Sequence, residues 1–331
     1  MALIDIEKLH KTYRVTRKAS GLRGSLRGLF RPERHEVLAV NGITFSIDTG
    51  EIVGFIGPNG AGKSTTIKML AGILYPTSGR ITVDGLSPQE NRKAVVKEIG
   101  VVFGQRTQLY WDLRLGESFE LFKRIYQIEQ TSFDENLDLL SEVLGIEELM
   151  DIPVRQLSLG QRMRGELTAA MLHSPKILFL DEPTIGMDIE VKRAIRHFIL
   201  EINRLRKTTV LLTTHDLGDV EELCERLIII NHGRIIEDGA LNSLIDSLTP
   251  YRDLIVECAD MDDIGQFTHP HATVLKQQDD LTWIRFARAN VTASQLINEL
   301  SKTYTIRDVR VKEPDIEDVI RKLYGVKPEI E

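Results

Sequence analysis

The chain has few cysteines and few aromatic residues, and it has no long hydrophobic run. Its two cysteines, Cys224 and Cys258, lie far apart and outside any Cys-x-x-Cys pattern, which argues against a disulfide framework and against a zinc site. No apolar stretch approaches the roughly twenty residues that a membrane-spanning helix needs, and no signal peptide opens the chain. These absences predict a protein of a reducing compartment whose own chain does not cross a membrane.

An excess of basic residues is also missing. The 42 Lys and Arg residues against 49 Asp and Glu residues give a net charge of −7. This balance argues against a nucleic-acid partner, because general nucleic-acid binders present a basic surface. With 42% hydrophobic and 27% charged residues, the 331 residues are enough to bury at least one large core, and we expect two domains.

A glycine-rich segment stands between an apolar run at 51–56 and a helix-forming run at 64–70. It comprises Gly57, Pro58, Asn59, Gly60, Ala61, Gly62, Lys63, Ser64 and Thr65. Such glycines allow a tight turn in which backbone N–H groups and a helix N-terminus surround a polyanion. Lys63 would reach the β- and γ-phosphates of a nucleotide, and the Ser64 hydroxyl would ligate magnesium. The alternative is a chance glycine-rich turn, which leaves the flanking strand and helix unexplained.

A second motif supplies acidic groups. The apolar run at 176–181 predicts a strand that ends at Asp181, at the carboxyl edge of a parallel sheet, where open α/β folds bind ligands. Asp181 would hold the metal, through a water molecule. Glu182 follows directly and projects differently, so it would polarise an attacking water as a general base. The alternative for Glu182 is a solvated surface acid.

His215 follows a predicted strand at 209–214 and would stand at the carboxyl end of that strand. A lone histidine in such a place is often a structural residue, which is the alternative interpretation. The glycine-rich and acidic motifs favour the other interpretation, in which His215 contacts a γ-phosphate.

Together with the segment 157–161, which reads Leu-Ser-Leu-Gly-Gln, these motifs resemble those of the ABC-type ATPases. These proteins are the nucleotide-binding subunits of ATP-binding-cassette transporters. The resemblance runs from about residue 3 to about residue 239 and implies an ATPase domain at 1–239. It implies an α/β P-loop NTPase fold with a RecA-like core, an antiparallel β subdomain and a helical subdomain at 106–170. It also implies that the chain binds ATP and Mg²⁺.

The resemblance assigns roles to residues by their place in the family's motifs. Tyr13 matches the aromatic residue that stacks on adenine, and Asp188 matches the loop that joins two subunits. Ser158, Gly160 and Gln161 form the signature that acts on a partner's nucleotide. The implied catalytic residues are Lys63, Gln105, Glu182 and His215, and the implied magnesium ligands are Ser64, Gln105 and Asp181.

Two positions depart from the family pattern. Leu159 stands where the third signature residue is usually glycine, whereas Ser158 and Gly160 keep the hydroxyl and the close backbone approach. We therefore expect ATP binding to survive. Met187 replaces a leucine, and a packing exchange of that kind normally costs little.

The signature also implies a homodimer. A helix predicted from Gly160 to His173 directs its positive end out of the subunit. In the family that end faces the γ-phosphate held by a second copy. Two ATP molecules would thus be clamped between two copies, each site combining the residues of one chain's glycine-rich and acidic motifs with Ser158 and Gly160 of the other.

The function that the resemblance implies is ATP hydrolysis that energises transport, export in particular, through separate permease subunits. The chain would act at the cytoplasmic side of the cell membrane. The alternative is a soluble cassette ATPase that acts on a ribosome or DNA, although such proteins usually carry two cassettes or a coiled-coil insertion. A P-loop kinase or GTPase is a third class, but it has no use for the signature.

A basic insertion occupies residues 14–36, with seven Lys and Arg residues against two Glu residues, or 7 − 2 = +5. Leucines and a phenylalanine between 22 and 30 recur at helical spacing beside its arginines, which predicts a short amphipathic helix. This segment would bind anionic lipid headgroups or an acidic face of the permease. A solvated loop is an equally good interpretation.

The helical subdomain carries an aromatic segment at 107–113. Helices are predicted at 117–126 and 133–144 because apolar residues recur there at steps of three and four. Tyr110 and Trp111 would contact a permease, and core filling is the alternative.

The residues after Gly239 predict a C-terminal accessory domain at 240–331. Strands near 253–258, 272–277, 281–287 and 305–312, with helices near 260–267 and 292–302, give a β-α-β-β-α-β order, as in ferredoxin-like α+β domains. A last helix is predicted to begin at Pro314. This extension resembles those of cassette subunits of bacterial exporters related to antibiotic-resistance pumps, and it shows no catalytic pattern.

Overall fold

The computed structural model describes residues 2–16, 34–104, 106–248, 250–259 and 264–312. The chain forms two compact units, Met1–Gly239 and Ala240–Glu331. Three predictions fall outside the described residues: the amphipathic helix of the basic insertion, the position of Gln105, and the helix that begins at Pro314.

The first unit is built on a six-stranded sheet with the order β5-β6-β7-β3-β8-β9. Its strands are β3 (Ile52–Ile56), β5 (Ile99–Phe103), β6 (Ile177–Asp181), β7 (Thr209–Thr213), β8 (Arg226–Asn231) and β9 (Arg234–Ala240). The central strands β3 and β7 are buried at every position, which fits a parallel sheet covered on both faces. Because β6, β7 and β3 run parallel and are neighbours, their carboxyl ends meet at one edge of the sheet.

An antiparallel sheet of three strands packs in the same unit. Its strands are β1 (Ile4–Thr16), β2 (Arg34–Ile47) and β4 (Ser78–Val83), in the order β2-β1-β4. The β1–β2 ladder extends from the pair Ile4 and Ile47 to the pair Thr16 and Arg34. Residues 14–16 and 34–36 of the basic insertion therefore belong to paired strands, and residues 17–33 join those two strands.

A helical segment connects β5 to β6. It contains α3 (Leu115–Tyr126), α4 (Gln130–Leu144), α5 (Leu159–Met171) and two 3₁₀ turns (Glu147–Leu149 and Val154–Gln156). The helix predicted at 117–126 begins earlier, at Leu115, because the Glu117 carboxylate accepts a hydrogen bond from the Arg114 N–H at 2.9 Å and so caps the first turn.

Four more helices cover the main sheet of the first unit. They are α1 (Lys63–Leu70), α2 (Arg92–Glu98), α6 (Ile189–Arg206) and α7 (Leu217–Leu223). Along α6, Ile195, Phe198, Ile199 and Ile202 are buried, at the three- and four-residue steps of one helix face. Burial of each such side chain stabilises the fold by about 1.5–3 kcal/mol.

The second unit contains one sheet with the order β11-β12-β10-β13, all antiparallel. Its elements are α8 (Leu241–Leu248), β10 (Tyr251–Cys258), a 3₁₀ turn (Ile264–Gln266), β11 (Ala272–Gln278), β12 (Leu281–Ala287), α9 (Ala293–Leu300) and β13 (Ile306–Lys312). The four strands and the second helix lie where the sequence predicts them. The first helix does not: the described part of 260–267 holds a single 3₁₀ turn, and α8 has no counterpart in the predicted order.

Apolar residues from the two central strands and from α9 form the core of this unit. They include Leu254, Val256, Ile284, Phe286 and Leu296. No helix in the described ranges has both the length and the hydropathy of a membrane span.

Candidate nucleotide-binding and hydrolysis site

Residues 57–65, here called the glycine loop, follow β3 at the carboxyl edge of the main sheet and include the first residues of α1. A Cβ atom on Gly57 would lie 2.1 Å from the Ile230 carbonyl oxygen, and one on Gly62, at φ +114°, would lie 2.5 Å from the Ala39 carbonyl oxygen. At these two positions the backbone packs too closely for any side chain. Among the described residues, no group accepts a hydrogen bond from the N–H groups of Asn59 or Gly60. Backbone N–H groups without a partner in the described residues, together with the N-terminus of α1, fit a phosphate chain.

Lys63 places its ammonium group inside the glycine loop. The side chain is buried, and Nζ donates hydrogen bonds to the carbonyl oxygens of Gly57 at 2.5 Å and Pro58 at 3.2 Å. Burial lowers the pKa of Lys63, and the nearby carboxylates of Glu182 and Asp181 offset part of that effect. Neutral carbonyl groups hold the ammonium cation beside the loop. A polyanionic ligand bound there would form stronger, charge-assisted hydrogen bonds with it.

Asp181 and Ser64 meet at the sheet edge. The Ser64 hydroxyl donates to Asp181 Oδ1 at 3.0 Å, and the Thr213 hydroxyl donates to the same oxygen at 2.7 Å. A hydroxyl and a carboxylate are the hard oxygen ligands that Mg²⁺ prefers. The described residues contain no cluster of three or more His, Cys, Asp or Glu side chains that would hold a metal by themselves. This chemistry fits Mg²⁺, which is commonly bound by one or two protein oxygens together with substrate phosphates.

Glu182 turns away from Asp181 because its backbone is left-handed, with φ +58°. Non-glycine residues rarely adopt this conformation, and it is often found at functional sites. The Glu182 N–H donates to the Thr213 carbonyl oxygen at 2.9 Å, and Glu182 Oε1 lies 2.9 Å from His215 Nε2. The Glu182 side chain is 20% exposed and that of His215 is 43% exposed, so both reach solvent at the edge of the sheet.

The signature residues form a separate group. Ser158 caps α5: its Oγ accepts from the Gln161 N–H at 3.2 Å, and Gln161 Oε1 accepts from the Ser158 N–H at 2.9 Å. A Cβ on Gly160 would lie 2.7 Å from Val191 Cγ2, so this glycine permits a close contact. Leu159 is partly exposed, so its side chain displaces no core residue. Within the described residues, no hydrogen bond joins this group to the glycine loop.

Two further predicted residues lie away from the acidic pair. Tyr13 is half-buried on β1, opposite Val37, and Lys11 Nζ lies 5.3 Å from the centroid of its ring. Asp188 caps α6, and its Oδ1 accepts a hydrogen bond from the Val191 N–H at 2.9 Å.

Two side chains beside the site are not predicted from the sequence. Thr213 appears in the sequence only as a residue of the predicted strand at 209–214, yet its hydroxyl donates a hydrogen bond to Asp181. Asp219 lies near acidic residues such as Glu222, a pattern typical of a solvated helix face, yet it is fully buried. The only sequence signal for Asp219 is its place in the first turn of a helix, next to the His215 loop.

The glycine loop, the buried lysine and the strand-end carboxylates define a P-loop nucleotide-binding protein. A family model described as "ABC transporter" matches residues 40–185. The chain is 36% identical over 218 residues to the ABC transporter ATP-binding protein NatA of Bacillus subtilis (strain 168). The aligned residues cover 66% of this chain and 88% of NatA. It is 31% identical over 289 residues to the Nod factor export ATP-binding protein I of Neorhizobium galegae. This alignment covers 86% of this chain and 80% of that protein.

A solved structure agrees with this match. The structure of cbiO1 from Clostridium perfringens, described as part of the ABC transporter complex cbiONQ, has a TM-score of 0.59 and 26% identity and covers 75% of this chain and 94% of that chain. The chain belongs to the ABC transporter ATP-binding proteins, and it is an ATPase. The predicted P-loop core with its antiparallel and helical subdomains is confirmed.

Proposed function

We propose that this chain is the ATP-hydrolysing subunit of an exporter and that it acts on separate permease subunits at the cytoplasmic side of the membrane. One observation carries the ATPase part of the proposal: Lys63, Ser64, Asp181, Glu182 and His215 converge at the carboxyl ends of three adjacent strands. Export is supported by the name of the Nod factor export relative, and a permease partner by the transporter complex that contains cbiO1.

Each group at this edge has a chemical task in the proposed reaction. The N–H groups of the glycine loop and the Lys63 ammonium bind the phosphates, and Tyr13 stacks on adenine. Ser64 and Asp181 would hold Mg²⁺, with Gln105 as a third ligand by family resemblance, and the ion would supply positive charge to offset that of the phosphates. Glu182 accepts the proton of the attacking water, and His215 orients Glu182 and contacts the γ-phosphate.

A second copy of the chain completes each site in this proposal. Ser158 is exposed, and among the described residues its Oγ accepts a hydrogen bond from the Gln161 N–H and donates none, so its O–H proton is available to a phosphate. The N-terminus of α5 adds a favourable dipole for an anion. Ser158, Gly160 and Gln161 would act on the nucleotide of the partner, and Asp188 would join the two copies.

The test uses the full-length chain with Glu182→Gln. Without its general base this variant should bind MgATP and hydrolyse it far more slowly than the wild type, so ATP stays between the copies. Light scattering should then report a stable dimer with MgATP and a monomer without nucleotide. A variant that stays monomeric at saturating MgATP contradicts the shared site, and a wild-type chain without turnover, alone or with its membrane partner, contradicts the function.

Co-purification tests the choice of partner. Affinity purification of the intact chain from detergent-solubilised membranes should recover a multi-span membrane protein. Recovery of ribosomal or DNA-bound proteins instead would support the soluble cassette ATPase.

The basic insertion at 14–36 gives the chain a further proposed contact, with anionic headgroups, because of its net charge of +5 from 7 − 2 residues. Equal pelleting with anionic liposomes by the intact chain and by a variant lacking residues 16–35 would exclude this contact.

A further inference from the structure

We propose that Asp219 is a positioning residue for hydrolysis: with Arg196 it holds the Glu182 loop and the His215 loop in one fixed relation. The proposal rests on the proposed roles of Glu182 and His215. Asp219 is proposed to act through Glu182 and His215, without contacting the nucleotide itself.

A single carboxylate oxygen joins the two loops. Asp219 is fully buried in the first turn of α7, and its Oδ2 accepts from the Thr184 hydroxyl at 2.5 Å and from the Thr214 hydroxyl at 2.9 Å. Thr184 follows Glu182 by two residues, and Thr214 directly precedes His215. The loop that carries Glu182 and the loop that carries His215 therefore each donate a hydrogen bond to the same buried atom, Asp219 Oδ2.

The other oxygen of Asp219 connects the loops to α6. Asp219 Oδ1 lies 2.7 Å from Arg196 Nε, and the Arg196 guanidinium also reaches Glu222 at 2.7 Å and Asp216 at 3.3 Å. Asp216 is held in turn by Lys192 of the same helix. Arg196 lies on α6, and Asp188 caps the N-terminus of that helix. Asp188 is the residue proposed to join the two copies.

The charge and burial of Asp219 explain why this arrangement is rigid. A buried carboxylate is strongly unfavourable unless its oxygens are paired and hydrogen-bonded, so the three donors are held in place. Glu182 keeps a rare left-handed backbone, which persists only when its surroundings over-determine it. A displacement of about 1 Å at a catalytic group lowers a rate by about 10²-fold, so small losses of order here have large effects on turnover.

A purely structural role for Asp219 makes a different prediction. In that case the network only fastens α6 to α7, and its loss lowers stability while leaving the turnover of the folded protein unchanged. The two roles are separated by comparing kcat, KM and melting temperature in the same variants.

The primary test replaces Thr184 and Thr214 by valine, singly and together, in the full-length chain. Each single variant should lower kcat by about tenfold or more and change KM for MgATP by less than about twofold, because positioning of Glu182 and His215 is lost while the glycine loop is untouched. Thr184→Ser, which restores the hydroxyl, should recover most of the rate.

A matched control is available at the other end of β7. Thr209 is equally buried, and its hydroxyl accepts a hydrogen bond from the Gly50 N–H at 2.8 Å, far from the acidic pair in the strand. Thr209→Val should lower the melting temperature about as much as Thr184→Val but keep kcat within about twofold of the wild type.

Non-additivity gives the decisive result. Because both hydroxyls act through one carboxylate, the double variant should lose about as much rate as the more impaired single variant. Losses that multiply, or valine variants with wild-type kcat, overturn the proposal. If a valine variant does not fold, Asp219→Asn carries the same expectation, since it removes the charge opposite Arg196. Turnover that survives Glu182→Gln would instead refute the proposed site itself.

Discussion

Two adjacent acidic residues do different things in this site because the backbone reverses between them. Asp181 remains in the strand and accepts hydrogen bonds from Ser64 and Thr213, whereas Glu182, at φ +58°, faces His215. Gly104 makes room for this turn, because a Cβ there would lie 2.1 Å from the Glu182 carbonyl oxygen. The sequence predicts the difference in direction but contains no sign that Gly104 is needed for it.

Replacement of Gly104 by alanine tests this dependence. The added methyl group collides with backbone, not with a flexible side chain, so Glu182 must move. We expect kcat to fall by about 10²-fold and the free energy of unfolding to fall by about 1–3 kcal/mol. Steady-state ATP hydrolysis and urea unfolding measure the two effects.

Gly116→Ala is the matched control. A Cβ on Gly116, in helix α3, would lie 3.2 Å from the flexible end of the Met150 side chain and 3.3 Å from the Met150 carbonyl oxygen, so it requires a far smaller shift than the 2.1 Å contact at Gly104. This variant should keep wild-type turnover. Equal activity of Gly104→Ala and Gly116→Ala would show that the Glu182 turn tolerates displacement.

At the scale of secondary structure, the sequence predicts the strands and helices whose bounds depend on a local pattern of apolar and polar residues. The central strands appear as short apolar runs, and α5 (Leu159–Met171) lies within about two residues of the helix predicted from Gly160 to His173. The first residues of helices are predicted less well. The start of α3, for example, depends on the Glu117 carboxylate, which accepts a hydrogen bond from the Arg114 N–H. The burial of Asp219 was not predictable, because the hydroxyls that satisfy it come from two distant loops.

Helix α5 is fastened to the aromatic segment by another buried acid. Glu166 is almost fully buried and accepts hydrogen bonds from the Thr107 hydroxyl and from the Gln108 N–H, the latter at 3.2 Å. Burial raises the pKa of Glu166, and the hydrogen bonds from Thr107 and Gln108 oppose that shift only in part. The helix that begins at the signature is thus tied to the segment that follows Gln105 in the sequence.

Glu166→Gln should change how stability depends on pH. A carboxyl group whose pKa is higher in the folded than in the unfolded chain binds more protons when folded, so its contribution to stability decreases as pH rises from about 4.3 through the folded pKa. Relative to the variant, the wild type should therefore lose stability as the pH rises through this window. Urea unfolding of both proteins between acidic and neutral pH measures the difference. A wild-type advantage that grows with pH would contradict the raised pKa.

At the scale of the whole molecule, the aromatic segment offers a surface for a partner. Tyr110 is 47% exposed and Trp111 is 51% exposed, which does not fit the alternative of core filling. The Arg162 guanidinium lies 5.7 Å from the centroid of the Trp111 ring, so a cation–π contact from α5 supports Trp111. Exposed aromatic residues of this kind often dominate the binding energy of an interface.

Replacing both Tyr110 and Trp111 by alanine should separate transport from hydrolysis. With the co-purified membrane partner in proteoliposomes, we expect transport to fall by about tenfold or more, since interface aromatics often contribute about 2 kcal/mol or more each. Basal ATP hydrolysis by the isolated chain should stay close to the wild-type rate.

Tyr75→Ala provides the control, because Tyr75 is another exposed aromatic residue, at 65% exposure, outside this segment. It should retain both activities. Loss of hydrolysis together with transport in the Tyr110 and Trp111 variant would indicate misfolding and count against the interface.

The paired ends of β1 and β2 have an architectural consequence. Thr16 and Arg34 face each other across the ladder, about 4.8 Å apart in the direction of the backbone hydrogen bonds. The intervening residues can therefore be exchanged for a two-residue hairpin turn, or for a fluorescent or affinity module with closely spaced termini, without altering the sheet. The paired strand ends are therefore a natural graft point, at which this cassette and a relative can exchange accessory sequence while each keeps its own nucleotide-binding site.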